Sequence, residues 1–152
     1  MEEINRKTLY EKVGFLMQDS RLFNLSIYEN LKFGNVHAEE KDMIKACKSA
    51  NILEFIEKLP NGFATVIGEN GICISGGQKK RLQIARLILQ DPEVIIFDEA
   101  TSALDYENER EILEVLLRNM IKKTVIMVTH RKTCIGQCDD CLLYTSDAAD
   151  EL

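Results

Sequence analysis

The chain has 152 residues, 45% hydrophobic and 29% charged, with a formal net charge of −6. That balance fits one globular domain with a moderate core and excludes a disordered chain. It also leaves no basic footprint for nucleic acid, and no apolar run approaches the length of a membrane span or resembles a secretory signal. The five cysteines read as reduced thiols. Cys134, Cys138 and Cys141 are spaced as if for zinc, but the fourth ligand and the usual pairing are absent.

Residues 1–12 are polar, and VGFLMQ (Val13 to Gln18) reads as a strand ending in a polar residue. Between His37 and Leu59 the spacing of Met43, Ile44, Cys47, Ile52, Phe55 and Ile56 predicts two short helices. Pro60-Asn61-Gly62 is a turn. Ser75-Gly76-Gly77-Gln78 then leads into a helical pattern whose apolar residues are Leu82, Ile84, Ala85, Leu87, Ile88 and Leu89. Ser75 is a good N-cap and the glycines leave backbone N–H groups bare, so this helix start can hold an anion. Val94 to Phe97 is a continuous apolar run of the kind found in buried parallel strands. Asp98 and Glu99 stand at its C-terminal end, where open α/β sheets place ligands. Two adjacent carboxylates there suit Asp98 to Mg²⁺ and Glu99 to a base for water. Glu107 to Ile121 is amphipathic, with Ile112, Leu113, Leu116, Leu117 and Met120 on one face. Thr124 to Val128 is a further apolar strand that delivers Thr129 and His130 at its end.

These residues amount to a family resemblance, which covers Val13 to Asp140. ISGGQ (Ile74 to Gln78) resembles the signature motif of ATP-binding-cassette (ABC) ATPases, VIIFDE (Val94 to Glu99) their Walker B strand, and SALD (Ser102 to Asp105) their D-loop. Gln18-Asp19, with Leu22-Phe23 and Ser26 to Asn30 after it, resembles the Q-loop region of ABC exporters. TVIGENG (Thr65 to Gly71) resembles the exporter loop before the signature, and His130 the H-loop histidine. A second class that shares signature and Walker B, the SMC-type DNA-maintenance ATPases, carries a long coiled coil between Q-loop and signature. No sustained heptads lie between Gln18 and Ser75 here.

The resemblance implies an α/β fold: a RecA-like P-loop NTPase parallel sheet with an inserted helical subdomain. Two such domains sandwich ATP head to tail. Ser75, Gly76, Gly77 and Gln78 would clasp the γ-phosphate held by the partner, and Asp105 would line the dimer interface. Asp98 and Gln18 would serve Mg²⁺, Glu99 would polarise the attacking water, and Gln18 and His130 would complete the γ-phosphate shell. The Q-loop region and the Glu69 loop would meet a transmembrane domain, placing the parent at the cytoplasmic face of a membrane.

Two departures from the family stand out. No glycine is followed by lysine, so the Walker A pattern is absent. The N-terminal third of the ATPase domain, with its Walker A strand, is therefore expected to lie outside this chain. Loss of that strand is expected to expose the VIIF edge. After Asp140 the family calls for an apolar strand, whereas CLLYTSDAADE (Cys141 to Glu151) is what a transposase-type sequencing adapter encodes in frame. The expected organisation is a partial ATPase domain over 1–140, comprising a core remnant (1–17), a mainly helical subdomain (18–85) and a Walker B and H-loop half (86–140). An adapter-derived tail follows over 141–152. Without a phosphate cradle the chain is expected not to hydrolyse ATP alone. Its alternative role is to present a signature face to a complete partner.

Overall fold

The computed structural model describes residues 11–17, 22–68, 71–98, 106–129, 136 and 138–142, and of 106–109 the backbone alone. Strands β1 (Val13–Met17), β2 (Val94–Asp98) and β3 (Thr124–Val128) form a parallel sheet in the order β1-β2-β3. Five α-helices accompany them among the described residues: α1 (Ile27–Lys32), α2 (Glu40–Ser49), α3 (Leu53–Glu57), α4 (Gly76–Gln90) and α5 (Tyr106–Asn119), with a 3-10 turn over Gly62–Ala64.

The apolar run of β2 is the middle of the sheet. Each of its residues pairs with β1 on one side and β3 on the other, so Ile95 stands between Gly14 and Val125. This corrects the expectation of an exposed VIIF edge. The strands that lack a second neighbour among the described residues are β1 and β3. A continuous apolar run of four residues does suit a strand buried by pairing on both sides.

Alternation along the strands divides the sheet into unlike faces. Leu16, Ile95 and Phe97 point into the core, where Ile84 of α4 and Ile112 and Leu116 of α5 are also fully buried. Phe15, Ile96 and Ile126 share one register row on the opposite face, and Phe15 and Ile126 are about half exposed. Met17 and Val128 extend that bare apolar face. Parallel sheets ordinarily have both faces covered, and among the described residues only one is.

Helix α4 lies antiparallel along β1. Gln90 donates from Nε2 to the Val13 carbonyl (3.2 Å) at one end, and Lys80 donates from Nζ to the Met17 carbonyl (2.7 Å) at the other. Gly14 makes the approach possible, because a Cβ there would stand 2.3 Å from Leu87 Cδ1. The helix ends at Asp91 in the left-handed region, with φ 51°. Lys123 fixes that end by bonding Asp91 Oδ1 and the Pro92 carbonyl.

The helical region follows the expected pattern with two differences. Ile44 is exposed, so the core side of α2 is Met43, Ala46 and Cys47. The segment after residue 22 also contains α1, which starts on a capping box between Ser26 and Glu29. The Ser26 hydroxyl, then its backbone N–H, hydrogen-bonds the Glu29 carboxylate and holds its pKa below the ordinary value. At the far end of the chain, Cys138 and Cys141 are exposed and Leu142 is 90% exposed. The sequence expectation for the tail otherwise falls on residues outside those described.

Replacing Phe97 by Ala is expected to cost about 3–5 kcal/mol, whereas Ile126→Thr should stay within about 0.5 kcal/mol; urea titration of both variants measures the contrast. Burial pushes the Cys47 thiol up to about 12. A raised thiol pKa keeps the folded state protonated while the unfolded thiol ionises, so this contribution is intact below pH 9 and is lost between pH 9 and about 12. Stability measured across that window should fall less steeply in Cys47→Ala.

Candidate functional site

Ser75 is the N-cap of α4, in extended backbone with φ −64° and ψ 160°. Its hydroxyl oxygen accepts from the Gln78 N–H (3.2 Å), and Gln78 Oε1 accepts from the Ser75 N–H (2.9 Å). This reciprocal box engages acceptor atoms of both side chains internally. The helix start also offers donors: the Ser75 O–H, the Gln78 side-chain NH₂, and the N–H groups of Gly76 and Gly77 that have no intrahelical partner.

Charge on the helices sharpens the contrast. Helices α1, α2 and α3 each carry acid in the first turn: Glu29, Glu40 with Asp42, and Glu54. Helix α4 has none there, and Lys79 and Lys80 follow Gln78 instead. A side-chain carboxylate would complement the positive end of the dipole. At α4 no side-chain carboxylate of the first turn takes that place.

The carboxyl end of the sheet forms the second part of the site. Met17, Asp98 and Val128 occupy one register row, the last of each strand. The chain therefore leaves all three strands at one level, directly before Gln18, Glu99 and Thr129-His130 in sequence. Asp98 is half-buried, and no salt-bridge partner meets its carboxylate among the described residues. An uncompensated carboxylate at the carboxyl edge of a parallel sheet fits a hard oxygen-preferring cation such as Mg²⁺.

Since α4 runs antiparallel to β1 and the Lys80 side chain meets the end of that strand, Ser75 lies about 7.5 Å beyond Lys80 along the helix axis, toward the carboxyl edge, at 1.5 Å per residue. The signature start and Asp98 thus face the same end of the molecule. Of the sequence-predicted site residues, Ser75, Gly76, Gly77, Gln78 and Asp98 are placed, and the first four form one helix start. Gln18, Glu69, Glu99, Asp105 and His130 lie outside the described residues. Among the described residues no group of three or more His, Cys, Asp or Glu side chains could hold a metal ion.

Comparison with known proteins settles the family. The sequence pattern of the ABC transporter family matches residues 1–102. The chain belongs to the ABC transporter family. It is 42% identical over 139 residues to ABC transporter B family member 14 of Arabidopsis thaliana, an alignment covering 91% of this chain and 11% of that protein. It is 39% identical over 153 residues to the mitochondrial iron-sulfur clusters transporter ATM1 of Kluyveromyces lactis, covering 99% of this chain and 21% of that one. A solved bacterial Atm1-family ABC exporter with ATP bound superposes with a TM-score of 0.79 at 37% identity, over 91% of this chain and 24% of the exporter. The chain thus spans less than a quarter of the length of these relatives. The α/β sheet expected from the sequence agrees with this likeness, and the stretch matched lies in the ATPase part of exporter-type family members, which are ATPases.

Sequence reasoning missed the pairing of buried Asn30 with half-buried Arg86, which joins α1 to α4. The Ser26-x-x-Glu29 box was a legible sign of α1, and Arg86 stands out as a charge among apolar neighbours in α4.

Ser75→Ala removes the cap and should lower stability by about 1 kcal/mol, as read from the urea midpoint at constant m-value.

Proposed function

We propose that this chain supplies the signature, Walker B, D-loop, H-loop and Q-loop parts of the ATPase domain of an ABC exporter. The observation that carries this is the donor-rich, acid-free start of α4, which suits a terminal phosphate presented by another ATPase domain. The ATP would lie between the two domains, with Ser75, Gly76, Gly77 and Gln78 contributed to the nucleotide held by the partner. The projection of Ser75 beyond the sheet supports such presentation in trans.

Asp98 and Gln18 would hold Mg²⁺, which when bound neutralises phosphate charge. Glu99 would take the proton of the attacking water, Gln18 and His130 would orient that water and the γ-phosphate, and Asp105 would pack at the dimer interface. Phosphoryl transfer depends mainly on positioning and charge stabilisation. A chain without the Walker A lysine would therefore not turn over ATP by itself.

The segment 22–36 is the surface offered to a transmembrane domain, together with the Glu69 loop. Phe23, Tyr28, Phe33 and Val36 are all exposed there, within one short stretch, and Phe23 and Phe33 stack with centroids 4.5 Å apart. That is a concentrated apolar patch of the kind that marks an interface. Through such docking the domain would work at the cytoplasmic face of a membrane. Within this reading residues 18–85 are the helical part and 86–140 the Walker B half, with α4 bridging them.

The test is ATP hydrolysis with purified protein. This chain alone should show no turnover above buffer. In the complete parent transporter, Gly77→Asp should lower kcat by about 10²–10³, the range seen on losing one preorganised donor to a developing charge. Full activity of Gly77→Asp would refute the anion role of the α4 start. ATP hydrolysis by the isolated chain would refute its dependence on a partner's phosphate cradle.

A further inference from the structure

The buried junction between α1 and α4 is built around one fork. Arg86 of α4 donates from Nε to the Asn30 backbone carbonyl and from Nη2 to Asn30 Oδ1, both at 2.9 Å. Asn30 is fully buried. Its Oδ1 also accepts from the Phe23 N–H (2.9 Å), while Nδ2 donates to the carbonyls of Phe23 (3.0 Å), Leu25 (3.3 Å) and Ser26 (3.0 Å). One amide thus folds the 23–26 segment around itself, and one guanidinium pins that amide to α4. The same guanidinium carbon lies 5.8 Å from the ring centroids of both Phe23 and Phe33. Just past the C-terminal end of α1, a Cβ at Gly34 would stand 2.2 Å from the Arg86 carbonyl oxygen.

We propose that Arg86 is a positioning residue that couples the exposed Phe23–Phe33 face to the anion-binding start of α4. The inference rests on the reading of that face as the transmembrane-docking surface. Its physical basis is directionality. Apolar contact between α1 and α4 tolerates sliding, whereas a planar two-donor fork on one asparagine has a single good arrangement. The two rings bear a cation contact from Arg86 and are also exposed, so a partner packed on them acts on groups that Arg86 touches. Helix α4 is uninterrupted from Arg86 back to Ser75, about 16 Å at 1.5 Å per residue. A shift imposed at Arg86 is therefore delivered to Ser75, Gly76 and Gly77 without an intervening hinge.

The experiment uses the complete parent transporter reconstituted in liposomes, with ATP as the varied substrate. Arg86→Lys keeps the charge and loses the fork. It should lower kcat about tenfold, within the range of ordinary coupling between sites, and leave KM for ATP within about twofold. A merely structural role would lower the yield of folded protein and its Tm while leaving kcat per folded molecule unchanged, and that result overturns the inference. Phe33→Leu, which removes the ring and keeps apolar volume, should also lower kcat and add nothing further to Arg86→Lys. Additive losses overturn the inference, because the two groups would then act separately. Should Arg86→Lys not assemble, Phe33→Leu is read alone, and unchanged kcat again overturns it. Failure of the docking reading has a different signature: Phe23→Glu with Phe33→Glu would leave both assembly and kcat intact.

Discussion

The close packing of α4 on β1 is the constraint on which the rest of the molecule depends. Gly14 admits the helix to the strand, and Leu87 and Pro92 occupy the space that any larger residue would take. Gln90 and Lys80 then set the axial position by bonding the carbonyls of Val13 and Met17 at the two ends of β1. Once α4 is fixed in this way, its first turn must stand beyond the carboxyl edge of the sheet, and the partners of α4 are placed with it. Arg81 bonds Glu111 of α5 at 2.5 Å, and Arg86 holds α1 through Asn30. A single helix thus joins the sheet, the helical part and the Ser75–Gln78 turn.

Charge is distributed to match that geometry. Ordinary helices in this chain satisfy their positive ends with their own carboxylates, while α4 keeps its first turn free of acid and turns its acceptor atoms inward through the Ser75–Gln78 box. Such a start is less well compensated in isolation than those of α1 or α2. On the reading proposed above, an external anion would supply that compensation.

The sheet has a comparable incompleteness. Phe15, Met17, Ile126 and Val128 leave an apolar face open to water, and Asp98 stands at the carboxyl end of that same face. The hydrophobic effect disfavours such a surface, and a doubly covered parallel sheet is the usual remedy.

Much of this was legible in the sequence because it depends on local rules. The N-cap at Ser75, the apolar periods of α4 and α5, the β-branched runs of β2 and β3 and the turn at Pro60-Asn61-Gly62 each arise from residues within a few positions of one another. The family resemblance followed from short motifs of the same local kind. Long-range placement was less accessible. That VIIF would lie in the centre of the sheet depended on where β3 pairs, and strand order is decided by non-local hydrogen bonding that residue types do not encode by position. Ile44 fell on the wrong side of α2 because the facing surface, α4, selects which edge of an amphipathic stripe is buried. Asn30 and Arg86 are polar residues that look solvated in a linear reading; only the approach of α1 to α4 brings each the partner that makes its burial tolerable. The sequence by itself determined the elements and the chemistry of the helix start. The tertiary structure decided which strand is central, which sheet face is bare and which polar groups meet, because those outcomes depend on contacts between residues far apart in the chain.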